Sequence, residues 1–181
     1  PALGEPHTRR SGQAGRLRKT HTLLFAPSFA AVDRLNACLA AHGNLAIDGR
    51  PTLTCTARDL LKIVHDTAPE CEVIPAHAWT PWFSVLGSLS GFDSLVECYG
   101  EDARYIRAVE TGLSSDPAMN WRLSALDSVA LISNSDAHSP RKLAREANVL
   151  ECELSYSGVL DALTSHDPKR FLSTIEFFPE E

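Results

Sequence analysis

The stretch that decides the fold is Val129-Ala-Leu-Ile-Ser-Asn-Ser-Asp-Ala-His138, in which a short apolar run passes directly into a polar loop. A short apolar run that ends at turn-forming residues is typical of a strand buried in a sheet. Successive side chains of a strand point to opposite faces, so residues two positions apart point the same way. Asp136 and His138 can therefore reach one common point just beyond this predicted strand.

Other apolar runs alternate with helix-like segments along the chain. Strands are predicted over residues 20–25, 71–76, 95–98, 129–133 and 170–178, and Val109-Glu110 begins a further strand-to-loop step. Helices are predicted over residues 29–42, 57–67, 102–108, 116–126 and 156–165. The first is capped by Ser28 and ends at Gly43, and its apolar stripe is Val32, Leu35 and Leu39. The second is capped by Thr56, with apolar positions Leu60, Leu61 and Val64, and the residues Asp48-Gly49-Arg50-Pro51 between the two predict a turn. Strands that alternate with helices predict a parallel α/β fold, whose functional residues gather at the C-terminal ends of the strands.

Length and composition are those of a globular domain. The chain has 181 residues, of which 44% are hydrophobic and 22% charged, with a net charge of −6. That charge is unlike the basic excess of a general nucleic-acid-binding protein, but a local basic surface and bound metal ions still allow an acidic enzyme to hold DNA. Five cysteines without a C-x-x-C spacing are typical of a reduced, cytoplasmic protein. No run has the character of a membrane span or a signal peptide, so we expect no membrane association.

Residues 1–19 differ from the rest, being rich in Gly, Arg, Pro and Ser without an apolar period, and we interpret them as a linker or loop. From Arg9 to Lys19 the segment holds five basic residues and no acidic one. A solvated linker is the ordinary interpretation, and an arm that contacts phosphates is the alternative. Residues 20–181 are predicted to form one domain.

Several polar residues follow predicted strands and are candidates for chemistry. Asp136 and His138 either bind a metal or cap a turn at the surface, and the residues alone leave both open. His77 ends the strand at residues 71–76, where a structural histidine is the commoner outcome. His21 lies in the first strand and is unremarkable by itself.

A second group of candidates lies in loops. Glu110 and Asp116 flank a polar loop, and a glutamate there is a ligand, a base or a partner in a structural salt bridge. Trp79 and Trp82 either stack on a base or pack in the core, and Arg122 either meets a phosphate or is solvated. Motifs for nucleoside triphosphates, dinucleotides and serine hydrolases are absent from the sequence.

Six longer stretches together resemble one family: residues 74–84, 90–94, 110–124, 132–140, 145–148 and 174–181. They are similar to endonuclease Q-like enzymes of the PHP phosphoesterase superfamily. The resemblance implies a distorted (β/α)7 barrel with up to three metal ions at the strand ends, zinc first and Mg²⁺ or Mn²⁺ as alternatives. It also implies cleavage of DNA on the 5′ side of deaminated bases such as hypoxanthine and uracil.

The resemblance assigns roles to particular residues. Asp136 and His138 match the family's final D-x-H ligand pair, His77 its late single histidine and His21 the histidine before that. The implied catalytic residues are Asp136, His138 and Glu110. The implied substrate-binding residues are Trp79, Trp82, Asp116 and Arg122.

The sequence also departs from the family. The H-x-H pair that opens PHP domains is absent, and the chain stops at Glu181 where endonuclease Q-like proteins continue. We therefore expect a fragment of the barrel, incomplete at its N-terminus and without the C-terminal domain. Ala144 occupies a position where the resemblance leads us to expect glycine. A PHP phosphatase for a small phosphate ester, and a non-catalytic remnant that binds DNA or a protein partner, are the alternatives.

Overall fold

The computed structural model describes residues 7–9, 17–47 and 50–177. Its strands are β1 His7–Arg9, β2 Leu17–Lys19, β3 Thr22–Phe25, β4 Glu72–Pro75, β5 Ala108–Glu110, β6 Ala130–Ile132, β7 Ala147–Leu150 and β8 Phe171–Ile175. Its α-helices are α1 Phe29–Leu39, α2 Ala57–Thr67, α3 Leu95–Tyr99, α4 Pro117–Asn120 and α5 Tyr156–Thr164. Short 3₁₀ turns span Gly100–Tyr105, Ser124–Leu126 and Pro140–Lys142. None of the helices in these ranges is long and apolar enough to cross a membrane.

The strands form four two-stranded sheets, and the prediction of a parallel fold is correct for only one of them. β5 and β6 are parallel, whereas β1–β2, β3–β4 and β7–β8 are antiparallel. β3 and β4 pair antiparallel although the helices α1 and α2 lie between them in the chain, so this connection is not a βαβ crossover. The described residues contain no closed barrel, so the predicted (β/α)7 architecture is not seen.

Hydrogen bonds beyond the strand ends nevertheless bring the middle strands together. The amide of Ala78, after β4, donates to the carbonyl of Glu110 at the end of β5 at 2.8 Å. The amide of Thr111, after β5, donates to the carbonyl of Ile132 in β6 at 2.9 Å. The ends of β4, β5 and β6 therefore lie side by side, as the α/β prediction requires for a shared site.

Two helices pack on these strands much as their sequences predict. Thr56 and Asp59 form a reciprocal capping box at the start of α2, and its predicted apolar positions Leu60, Leu61 and Val64 are buried. α1 begins after the predicted cap Ser28 but ends at Leu39, before Gly43. In α1, buried Ala31 takes the place predicted for Val32, since positions 31, 35 and 39 share one face of the helix.

Three predicted elements are wrong. Residues 95–98 form helix α3 rather than a strand, because Ser94 caps it by accepting from the amide of Glu97 at 3.0 Å. Residues 102–108 are predicted as a helix but divide into the 3₁₀ turn Gly100–Tyr105 and strand β5. The helix predicted over residues 116–126 stops at Asn120 and resumes only as a 3₁₀ turn.

The N-terminal stretch also differs from its prediction as an unstructured, solvated linker. β1 and β2 pair within residues 1–19, and residues 1–6 and 10–16 lie outside the described part. Arg18 is buried: its guanidinium is 3.6 Å from Glu97 and lies 4.8 Å from the centroid of Phe92. The predicted turn at Asp48-Gly49 and the end of the chain from residue 178 also fall outside the described ranges.

The cysteines agree with a reduced protein. All five are free, and Cys55, Cys71 and Cys98 are buried in the core, while Cys38 is exposed.

The core cluster lies between α1, α2 and the strands β3–β6, and includes Leu35, Leu60 and Val109.

Candidate functional site

An open cleft of about 470 Å³ lies where β4, β5 and β6 end. It brings together most of the residues predicted for the site. The lining includes His21, His77, Glu110, Asn134, Asp136, His138 and Arg50. The predicted ligands His21 and His77 therefore face the same cleft as the predicted ligands Asp136 and His138, although His21 and Asp136 are 115 residues apart in the sequence.

The two histidines contact each other directly, with His21 Nδ1 2.9 Å from His77 Nε2. His77 Nδ1 is 2.8 Å from the hydroxyl oxygen of Thr80. The Thr80 hydroxyl donates its own proton to the carbonyl oxygens of His77 and Trp82, so toward His77 Nδ1 it can only accept. His77 Nδ1 therefore donates, and its Nε2 accepts from His21 Nδ1–H. This tautomer leaves a lone pair on His21 Nε2, which is buried and has no hydrogen-bond partner among the described residues.

Both imidazoles are held in the neutral form. Burial lowers the pKa of His21 from 6.5 to about 4, and the neighbouring His77 and Arg50 act in the same direction. Burial also lowers the pKa of His77, against the opposing effect of the Asp136 carboxylate. Neutral imidazole is the form that binds metal ions, so this environment favours ligation over protonation.

The backbone is strained at two of the candidate ligands. His77 and Asp136 adopt φ values of +30° and +45°, which residues with a side chain rarely adopt. A Cβ on Gly112, which itself has φ +65°, would come within 2.5 Å of the His77 Cβ, so only glycine allows this approach. Strain of this kind is found mainly at functional sites, where the surrounding structure holds it in place.

The loop that carries Asp136 and His138 is fixed by Arg145. Its Nε donates to the carbonyl of Ser135 at 2.8 Å, and its Nη2 lies 3.5 Å from the carbonyl of Asp136. The Nδ1 of His138 donates to the same Asp136 carbonyl at 2.9 Å. The carboxylate oxygen Oδ1 of Asp136 lies 3.8 Å from the same His138 nitrogen.

The donor set suits a divalent metal ion. Imidazole nitrogens with a carboxylate are the ligands that zinc and manganese accept, and the buried, unpartnered Nε2 of His21 is a nitrogen with a free lone pair. The arrangement is nevertheless two pairs, His21 with His77 and Asp136 with His138. Across the described ranges, no three His, Cys, Asp or Glu side chains stand close enough together to hold an ion.

Glu110 occupies the floor of the cleft. It is 3% exposed, and burial raises the pKa of its carboxyl group. One oxygen accepts from the backbone amide of His77 at 2.8 Å and the other from the side chain of Asn134 at 2.9 Å. Sequence reasoning missed Asn134, although it lies between the two serines of the Ser133-to-His138 stretch. It also missed Arg50, which the sequence places only in a predicted turn and not at a functional site.

The predicted substrate-binding residues do not line this cleft within the described part of the chain. Trp79 packs against the core, and its indole nitrogen donates to Asn120 at 2.7 Å. Asp116 caps α4 by accepting from the amide of Met119 at 2.7 Å. Trp82 and Arg122 are exposed, and 54% of the surface of Trp82 is accessible.

Comparison with known proteins relates this fold to one group of enzymes. No protein-family model matches the sequence. The chain is 32% identical over 161 residues to the uncharacterized protein YqxK of Bacillus subtilis (strain 168), covering 88% of this chain and 40% of that protein. It is 39% identical over 79 residues to the uncharacterized protein MJ0043 of Methanocaldococcus jannaschii, covering 42% of this chain and 9% of that protein.

Two solved structures are similar in three dimensions. One is the lesion-specific endonuclease PfuEndoQ from Pyrococcus furiosus, with a TM-score of 0.77 and 29% identity. The other is endonuclease Q in complex with a 27-mer duplex substrate that carries an abasic lesion at the active site, with a TM-score of 0.76 and 28% identity. Each match covers 86% of this chain and 38% of the solved chain. The chain therefore has a fold related to that of endonuclease Q. It spans about 40% of the length of YqxK and of PfuEndoQ.

Proposed function

We propose that the chain carries part of the catalytic domain of a metal-dependent DNA-repair endonuclease of the endonuclease Q type. Its reaction is hydrolysis of the phosphodiester on the 5′ side of a deaminated base such as hypoxanthine or uracil. The observation that carries the proposal is the meeting of His21, His77, Asp136 and His138 at one cleft of an endonuclease Q-like fold.

In this proposal the four residues would hold the divalent metal, zinc first, with Mn²⁺ or Mg²⁺ as alternatives. His77 would join as a ligand when its Nε2 lone pair is released from the hydrogen bond with His21 Nδ1. A bound divalent ion supplies hydroxide from water at neutral pH and screens the negative charge of the phosphodiester. The protein's part is to keep the imidazoles neutral by burial and to orient them. Thr80 and His77 fix the tautomer of the histidine pair, and Arg145 fixes the loop that carries Asp136.

The substrate contacts follow from exposure and charge. Arg50 lies at the cleft and presents the cation that a phosphate beside the metal ligands requires. The exposed Trp82, in the loop that follows His77, is the proposed stacking surface for a base turned out of the duplex. Arg122 is a proposed contact to the DNA backbone. Trp79 and Asp116 act through the shape of the groove, since Trp79 is bound to Asn120 and Asp116 caps α4.

A non-catalytic remnant that binds DNA or a protein is the second candidate. Two observations favour it: the ligands stand in two pairs without a third donor among the described residues, and the sequence has no H-x-H pair. This candidate predicts DNA binding without cleavage under any metal condition.

A nicking assay tests the proposal. A 5′-labelled duplex with one deoxyinosine is incubated with the chain and Zn²⁺, Mn²⁺ or Mg²⁺. We expect a cut 5′ to the lesion that Asp136→Asn abolishes. The matched control is Asp127→Asn, an exposed aspartate outside the cleft, which should cut normally.

Three other results have distinct meanings. Binding of the duplex without a nick with any of the metals supports the non-catalytic candidate. Hydrolysis of p-nitrophenyl phosphate without a nick supports a phosphatase for small phosphate esters. A nick that Asp136→Asn leaves unchanged contradicts the assignment of the cleft as the active site.

A further inference from the structure

The backbone amide of His77 is bonded by the side chain of Glu110. It donates to Glu110 Oε2 at 2.8 Å, and this carboxylate comes from the neighbouring strand β5. The amide of the preceding residue, Ala76, donates toward β3, to the His21 carbonyl at 3.0 Å, so the His77 amide faces the opposite side and needs an acceptor there. Glu110 supplies that acceptor from a buried position beneath the cleft.

The other oxygen of Glu110 leads to the loop that carries Asp136. Asn148, in β7, accepts from the amide of Ser133 at 2.9 Å and donates to the Ser133 carbonyl at 2.8 Å, which fixes the orientation of its amide group. Its Nδ2 also donates to Asn134 Oδ1 at 3.2 Å. Asn134 must therefore present its Nδ2 to Glu110 Oε1, at 2.9 Å. Glu110 consequently accepts a hydrogen bond on each oxygen, which the side-chain amide of a glutamine cannot do.

We propose that Glu110 is a positioning residue that fixes His77 and couples it, through Asn134, to the loop of Asp136 and His138. This inference rests on the proposed function, since it takes those three residues as the site. It departs from the prediction that Glu110 is catalytic, because both of its oxygens are engaged by protein donors. The two pairs of candidate ligands are thereby held at a fixed separation by one buried carboxylate.

The chain allows a rescue experiment that separates this role from catalysis. In Glu110→Gln the new amide has one acceptor oxygen, which can accept from His77, so the bond with Asn134 is lost. In Asn134→Asp alone, two carboxylates face each other. The double variant E110Q/N134D restores both bonds with the charge unchanged: the new aspartate accepts from the new glutamine and from Asn148, and the glutamine oxygen accepts from His77. A ligand or general base at position 110 needs its own carboxylate and is not rescued.

Hydrogen exchange of the His77 amide, followed by NMR on the metal-free chain, is the primary measurement. Glu110→Ala removes the acceptor of this amide and should speed its exchange, relative to the β6 amides, by at least about tenfold, the effect of losing one hydrogen bond to a charged group. Glu110→Gln can keep the His77 bond through its amide oxygen and loses the bond with Asn134. The double variant should bring the exchange of the His77 amide to near the wild-type rate. The control is Glu72→Gln, which changes an equally buried glutamate on β4 that pairs with Arg107 and leaves the network intact.

Two results overturn the inference. Unchanged exchange in Glu110→Ala means that the carboxylate does not hold His77. Faster exchange that the double variant fails to restore means that no coupling passes through Asn134. A Zn²⁺ titration of the same proteins adds the functional consequence: weaker binding in Glu110→Gln and recovery in the double variant. If the wild-type chain binds no Zn²⁺, the proposed metal function fails, while the exchange result still decides the positioning role.

Discussion

The buried His21 imidazole makes the stability of the metal-free chain depend on pH. His21 is 4% exposed, and burial lowers its pKa from 6.5 to about 4. Between these values the unfolded chain binds a proton that the folded chain does not, so folding stability is full above pH 6.5 and is lost as the pH falls toward 4. Each pH unit within the window costs about 1.4 kcal/mol. Lowering the pH from 7 to 5 crosses about 1.5 pH units of this window, from 6.5 to 5. Protonation of His21 alone therefore removes about 2 kcal/mol of unfolding free energy.

Substitution of His21 by glutamine isolates this contribution. The glutamine keeps a polar side chain but does not titrate, so the loss of unfolding free energy between pH 7 and pH 5 should be about 2 kcal/mol smaller than in the wild type. Urea unfolding at both pH values, with EDTA present to remove metal ions, measures this difference. Comparing the two proteins cancels the other titrating groups to first order.

The matched control for this measurement is His65→Gln, which changes a half-exposed histidine on α2. Its free energy of unfolding should depend on pH as that of the wild type does. An equal loss of stability in wild type and His21→Gln would refute the reasoning, because it would mean that the imidazole is either solvated or already protonated in the folded chain.

Three further predictions follow from particular residues. Ala144 adopts φ +57°, so Ala144→Gly should relieve about 1 kcal/mol of strain. Its Tm should rise by about 2–4 °C, and a fall would contradict this reasoning. Arg50→Gln should reduce the slope of log binding constant against log salt by about 1 in fluorescence anisotropy with duplex DNA, while exposed Lys169→Gln should leave it unchanged. Burial raises the pKa of Glu146 from 4.5 to about 7, so the folded chain holds an extra proton between these values and loses stability as the pH rises through them. The Tm of Glu146→Gln should therefore fall less from pH 5 to pH 8 than that of the wild type, and an equal fall would show that Glu146 is not protonated there.

Local signals in the sequence predict part of this structure correctly. The apolar run before Asp136 forms β6, and the cap and stripe of α2 are as predicted, because both depend on near neighbours in the chain. The expectation of glycine at position 144 also has a structural basis, since Ala144 occupies the left-handed region that favours glycine.

The remaining features depend on contacts between distant residues. His21 meets His77 because β3 and β4 pair antiparallel, with the amide of Ala76 donating to the His21 carbonyl at 3.0 Å. No periodic pattern encodes that direction or register. Arg50 reaches the cleft from a bend before α2, and Asn134 acts through partners on β5 and β7. The strand predicted at residues 95–98 is wrong because periodicity alone does not distinguish a short apolar strand from a helix, and the cap at Ser94 decides for the helix.

The central claim is that one cleft of this chain binds a divalent metal through His21, His77, Asp136 and His138. Zinc titration of the metal-free chain, with bound metal measured after dialysis and the imidazole signals followed by NMR, tests it most directly. We predict at least one bound ion per chain, shifts confined to the histidines of the cleft, and loss of binding in both His77→Gln and Asp136→Asn. Zinc binding that survives both substitutions, or no binding by the wild-type chain, would contradict the claim.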